Sequence, residues 1–109
     1  MEKIKTLEEY KNFTANNNDC IVKVGAAWCG PCRVLEKTLH EIESEQVVLK
    51  MAEVDADDCD DELMTELGVR NIPVMFIKHD GAEPERIVGI RTKDQILNIF
   101  KNGKEDSTS

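Results

Sequence analysis

A run with apolar residues on both sides of the pleat, Cys20-Ile21-Val22-Lys23-Val24-Gly25-Ala26, passes through Trp28-Cys29-Gly30-Pro31-Cys32 straight into a stretch of helical periodicity. β-Branched residues at both parities predict a parallel strand covered on both faces. From Pro31, suited to the first helical position, Val34, Leu35, Thr38, Leu39 and Ile42 mark the inner face of a helix ending near Ser44. The two cysteines therefore stand where a buried strand meets a helix N-terminus. There the first sulfur is expected to face solvent near unpaired backbone N–H groups and the positive end of the helix dipole, which stabilises its thiolate. The second sulfur lies one turn in. The short spacing lets the pair alternate between dithiol and disulfide with little backbone movement.

The flanking chain supplies the rest of an α/β pattern. Glu2 to Lys5 reads as a short edge strand, and Thr6-Leu7-Glu8-Glu9 has the form of a capping box, with Leu7, Tyr10 and Phe13 at helical spacing to about Asn16. Val47 to Val54 is a second buried strand. An acidic run from Glu53 to Glu62 leads into a helix carrying Leu63, Met64 and Leu67, closed by Gly68 at its C-cap. After Asn71-Ile72-Pro73 come a strand, Val74 to Lys78, a loop over 79–85 and a return strand, Arg86 to Gly89. Thr92-Lys93-Asp94-Gln95 is a second capping box, opening a last helix with Ile96, Leu97, Ile99 and Phe100. The order is β-α-β-α-β-α-β-β-α, which implies a mixed central sheet flanked by helices on both faces. Residues 1–103 make one domain, and 104–109, without apolar residues, a mobile tail.

Composition narrows the partners. A formal charge of -8 over 109 residues disfavours nucleic-acid backbones and anionic lipid surfaces. No apolar run approaches the roughly 18 residues of a membrane span. Four irregularly spaced cysteines argue against a secreted disulfide scaffold. Met1 to Leu7 has no basic-then-apolar leader, so a reducing cytoplasm is the expected compartment. Zinc would need a second cysteine pair or a histidine cluster, whereas Cys20, Cys59, His40 and His79 are scattered; no metal is expected, and redox use of Cys29 and Cys32 is favoured. Cys20, buried in its strand, and Cys59, among carboxylates, are expected to be unreactive. His40 reads as a solvated helix residue, His79 as a loop residue, and Met51, Met64 and Met75 as core filler. The acidic run reads as a solvated face with acids at a helix start, and a weak cation site or partner selection is its alternative.

From Ile4 to Phe100 the chain resembles the thioredoxin family, on Trp28-Cys29-Gly30-Pro31-Cys32, Ile72-Pro73 and Gly89 after the hairpin. The resemblance implies a thiol–disulfide oxidoreductase that reduces protein disulfides, with Cys29 as the attacking thiolate and Cys32 as the resolving thiol. It implies no bound cofactor, a flavin- and NADPH-dependent thioredoxin reductase as electron donor, and a monomer. Ile72 and a cis Pro73 would form the opposite lip of the site, Gly89 would leave room for a substrate peptide, and Trp28 would shield the sulfurs. The family's acidic partner for the Trp28 indole falls on Asp55. Gly30 and Pro31 between the cysteines match reducing members, since related oxidases and isomerases usually carry a histidine there.

Lys23 departs from the family. Six residues before the attacking cysteine, thioredoxins usually carry a buried aspartate that assists proton transfer at the resolving thiol; its lysine partner falls on Met51. Three readings of Lys23 stay open. A neutral amine takes the Cys32 proton; an ammonium, paired with Glu53 on the adjacent strand, stabilises the Cys29 thiolate and raises the redox potential; or the stem snorkels to solvent and does little. Two other functions follow from the same residues: a binding module using the groove without turnover, and a disulfide oxidant or isomerase.

Overall fold

The computed structural model describes residues 1–46 and 48–102. Nine elements alternate in the expected order: β1 (Glu2–Lys3), α1 (Leu7–Asn16), β2 (Cys20–Gly25), α2 (Gly30–Glu45), β3 (Lys50–Asp55), α3 (Asp61–Leu67), β4 (Val74–Lys78), β5 (Glu85–Val88) and α4 (Lys93–Asn102). The five strands lie in the order β1-β3-β2-β4-β5. β3 runs parallel to both β1 and β2, while β4 is antiparallel to β2 and to β5.

β2 is central, and all six of its residues are buried. Alternation along it sorts the core into two layers. Cys20, Val22 and Val24 face one layer with Phe13 of α1 and Leu63 and Leu67 of α3, whereas Ile21 faces the other with Leu35, Leu39 and Ile42 of α2 and Ile96 and Ile99 of α4. Lys23 and Gly25 share the parity of Ile21 and so lie beneath α2.

The caps form as their sequences specify. The Thr6 hydroxyl accepts from Glu9 N while the Glu9 carboxylate accepts from Thr6 N, and Thr92 and Gln95 repeat the exchange before α4. α3 ends on Gly68 in the left-handed conformation, φ 61°, and its last carbonyls are taken by Arg86, whose guanidinium donates to Leu67 O and Gly68 O and lies 5.4 Å from the centroid of the Phe76 ring.

Three expectations need correction. β3 starts at Lys50 rather than Val47: Val48 is exposed, and Val47 lies outside the described residues, as do residues 104–109 of the expected tail. β5 ends at Val88, because Gly89 turns to φ 90° and its N–H donates to Pro73 O. Val34 is not on the inner face of α2; it is 54% exposed, and the buried stripe runs through Cys32, Leu35, Leu39 and Ile42. The azimuth of α2 on the sheet gives Cys32 the first inward position of the stripe and leaves Val34 on the outside.

Leu39→Ala is expected to cost about 3 kcal/mol by opening a cavity between α2 and the sheet. Val34→Ala is expected to stay within about 0.5 kcal/mol. Urea midpoints at unchanged m-value check both.

Candidate active site

β2 hands the chain to α2 through Ala26, Ala27 and Trp28, and Cys29 becomes the N-cap of α2, with Pro31 in the first turn. The Cys29 sulfur accepts the Cys32 N–H at 3.2 Å, replacing the side-chain oxygen that usually caps a helix. Cys29 and Cys32 are joined as a disulfide across a Cα–Cα distance of 5.2 Å. In this form Cys29 does not face solvent as expected. Only 5% of it is exposed, and its bonded partner Cys32 is buried as well. Gly25 makes room for the Cys32 sulfur: a Cβ there would stand 3.2 Å from Cys32 Sγ.

Trp28 stands immediately before the pair. It is 69% exposed, and its indole Nε1 donates to Asp57 Oδ2 at 2.7 Å. Asp57, not Asp55, is therefore the indole's acceptor. The reason is local. β3 ends at Asp55, whose Oδ1 accepts the Asp57 N–H at 2.9 Å in an Asx-type turn, so Asp55 is spent on holding the backbone that presents Asp57.

Ile72, Pro73 and Gly89 come to the same end of the sheet. Val24 pairs with Val74 and Val74 with Val88, so Pro73 and Gly89 stand beside the Gly25 end of β2. The Ile72-Pro73 bond is cis, Pro73 is buried, Ile72 half-buried, and the Gly89 N–H donation to Pro73 O at 2.8 Å ties the two together. Exposed apolar side chains collect around this end: Trp28, Val34, Val88 and Ile90. The last three carried no sequence signal, since scattered valines and isoleucines read as core until the fold turns them outward.

Behind Cys32 lies a cavity of about 530 Å³, into which Lys23, Gly25, Glu36 and Glu53 also open. Lys23 is the only buried charged residue among the described residues. Its side chain is 7% exposed and does not snorkel: Nζ stands 3.4 Å from Glu53 Oε2 and 3.8 Å from Glu36 Oε2. The pairing with Glu53 follows from register, which sets Lys23 directly beside Glu53 across β2 and β3. Met51 is buried two residues away, in the layer under α2. Glu36 was missed in the sequence, although its spacing of four from Cys32 on one helix is a legible sign that the two share a face. Arg33, also unremarked there, donates from Nε and Nη2 to Ala27 O at 3.2 and 2.9 Å, bracing the turn before the cysteines.

The remaining thiols are quiet. Burial pushes Cys20 up to about 11, with Asp19 adding to the effect and Lys78 opposing it. Cys59 is raised first by burial and then by Asp55, Asp60, Asp61 and Asp58. His40 lies on the surface against Glu36 and Glu43, and His79 in its loop against Asp19. Met51 and Met75 are core residues, while Met64 is half-buried. Among the described residues no group of three or more His, Cys, Asp or Glu could hold a metal ion, and no helix is long and apolar enough to cross a membrane.

A disulfide capping a helix beside a cis proline, at the end of a mixed five-stranded sheet, has relatives. The family model described as Thioredoxin matches residues 2–102. The chain belongs to the thioredoxin family. A thioredoxin of Chlamydia caviae is 30% identical over 100 residues, covering 92% of this chain and 96% of that one. A bifunctional thioredoxin reductase/thioredoxin of Mycobacterium leprae is 35% identical over 89 residues, 81% of this chain and 19% of that protein. Among solved structures, a mutant thioredoxin from Halobacterium salinarum superposes with a TM-score of 0.80 at 27% identity, covering 96% of this chain and 91% of that one. The chain is a thiol–disulfide oxidoreductase, and its redox-active group is the Cys29–Cys32 disulfide.

Trp28 is the only tryptophan in the chain, so its fluorescence reports the Asp57 bond directly. Asp57→Asn is expected to change Trp28 emission and raise its quenching by acrylamide, with a smaller change in Asp55→Asn. Alkali gives a second test. Between pH 9 and about 11 the unfolded chain ionises Cys20 while the folded chain keeps it protonated, so stability falls as pH rises through that window. Tyr10, raised from 10.0 to about 12 chiefly by burial, continues the fall at higher pH. Urea unfolding of the oxidised protein at pH 8 and 11 is expected to show the loss, and Cys20→Ala to reduce it.

Proposed function

We propose that Cys29 attacks the disulfide of a protein substrate and Cys32 resolves the product. The observation that carries this reading is the capping geometry: of the two sulfurs, that of Cys29 sits at the helix N-terminus and accepts the Cys32 N–H. In the reduced protein the same N–H and the helix dipole stabilise a Cys29 thiolate. Attack forms a Cys29–substrate disulfide and expels the first substrate thiolate. Cys32, once deprotonated, then attacks the Cys29 sulfur; the Cys29–substrate bond breaks, the second substrate thiolate leaves with its electron pair, and the Cys29–Cys32 disulfide returns. Two electrons pass to the substrate, which takes up two protons.

The substrate strand lies between Trp28, Gly30 and Pro31 on one side and Ile72, Pro73 and Gly89 on the other. Exposed Gly30 and Pro31 leave the approach to Cys29 low, and Gly89, at φ 90°, presents backbone instead of a side chain. Asp57 fixes the indole that borders this groove, and Asp55 fixes Asp57. Lys23 acts from behind Cys32 rather than in the groove.

Net flow runs toward reduction in a reducing cytoplasm, and the chain acts as a monomer. A flavin- and NADPH-dependent thioredoxin reductase recharges it; the M. leprae relative, which joins a reductase and a thioredoxin in one protein, supports that class of donor. Insulin reduction with dithiothreitol is expected to fall to background in Cys29→Ser, while Cys32→Ser traps a mixed disulfide at Cys29. A redox titration is expected to place the pair near roughly -270 mV; a value at about -180 to -120 mV would refute the reducing direction.

A further inference from the structure

We infer that Glu36 is the proton acceptor for Cys32 in the resolving step, held in place by Lys23. The inference rests on the reading that Cys32 resolves a Cys29 mixed disulfide. Resolution needs a Cys32 thiolate, and a buried thiol in apolar surroundings does not ionise unaided. Cys32 is buried over Gly25 and lines the cavity, so the cavity is where a base can reach it.

Four carboxylates line that cavity. Asp58 is engaged by Lys5 at 3.1 Å in an exposed pair, and Asp55 accepts the Asp57 N–H. Glu53 stands on β3, one strand further from Cys32 than Lys23, and closes on Lys23 at 3.4 Å. Glu36 alone lies on the helix of Cys32, four residues on. Helical side chains lean toward the N-terminus, which points Glu36 back over the turn that carries Cys32. Its Oε2 faces Lys23 Nζ at 3.8 Å, on the face of β2 where Gly25 underlies the Cys32 sulfur. Its Oε1 faces the exposed His40 Nε2 at 3.4 Å, which gives a received proton a way to solvent.

Lys23 is thus a positioning residue. A lysine ammonium buried in this core is tolerable only because carboxylates meet it, and the same attraction draws Oε2 of Glu36 toward the cavity while the rest of its side chain stays partly open to water. Across the cavity that both residues line, Glu36 takes the proton of Cys32, directly or through one water, as the sulfur attacks Cys29. The departing substrate thiolate takes a proton from solvent, and Glu36 releases its own through the His40 side.

The test uses the full chain and follows the decay of a mixed disulfide between Cys29 and a chromogenic aryl thiol. Glu36→Gln is expected to slow resolution about 10²-fold, the low end for a positioned base, while attack by Cys29, measured in a Cys32→Ser background, stays unchanged. Glu36→Ala is expected to regain rate with added formate, which a cavity of this size admits, whereas the native chain gains nothing; a packing role would give no such rescue. Wild-type resolution in a folded Glu36→Gln, a larger loss in Glu53→Gln, or no rescue by formate would each overturn the assignment. Failure of Cys32→Ser to trap any mixed disulfide would instead refute the underlying roles of the two cysteines.

Discussion

Strand β2 has no free side. β3 and β4 occupy its edges, the α1/α3 layer one face and the α2/α4 layer the other, and each of its six residues is buried. This enclosure fixes where the chain leaves the sheet. It emerges at the Gly25 end, directly under the start of α2, so the cysteine that caps the helix and the one a turn inside it are held against the fully enclosed central strand. Pro73 and Gly89 meet them there because β4 and β5 pair outward from the same strand in register. The chemistry of the site is a consequence of that convergence: a helix N-terminus for one sulfur, a glycine floor for the other, and an open lip opposite.

Enclosure also makes Lys23 costly. A buried ammonium demands partners, and it finds them on two different elements, Glu53 beside it in the sheet and Glu36 above it on α2. Such a cluster does little for stability compared with well-packed apolar residues. What it does secure is geometry, since it fastens the first turns of α2 to the sheet next to the redox pair and keeps a polar cavity behind Cys32 in an otherwise apolar layer.

Much of this was legible in advance where a signal is local. Capping boxes, the glycine C-cap of α3 and the alternation of strands with helices depend on neighbours within a few residues, and all formed as their sequences specify. The errors fell where distance in space decides. Val34 fits a helical stripe as well as Leu35 does, and only the azimuth of α2 on the sheet turned it outward. The indole's acceptor was misplaced by two residues because Asp55 was consumed by its own turn. Glu36 went unremarked because a glutamate on an amphipathic helix is ordinarily a solvated residue.

The amino-acid sequence alone determined the element order, the helix starts and the redox pair, because each follows from short-range periodicity, capping and the fixed reach of two cysteines three residues apart. Only the tertiary structure decided which carboxylates meet Lys23, which aspartate meets Trp28, and how much of Cys29 is open to solvent. Those outcomes turn on strand register and helix azimuth, which are set by packing across the whole core, and no single stretch of the chain encodes them.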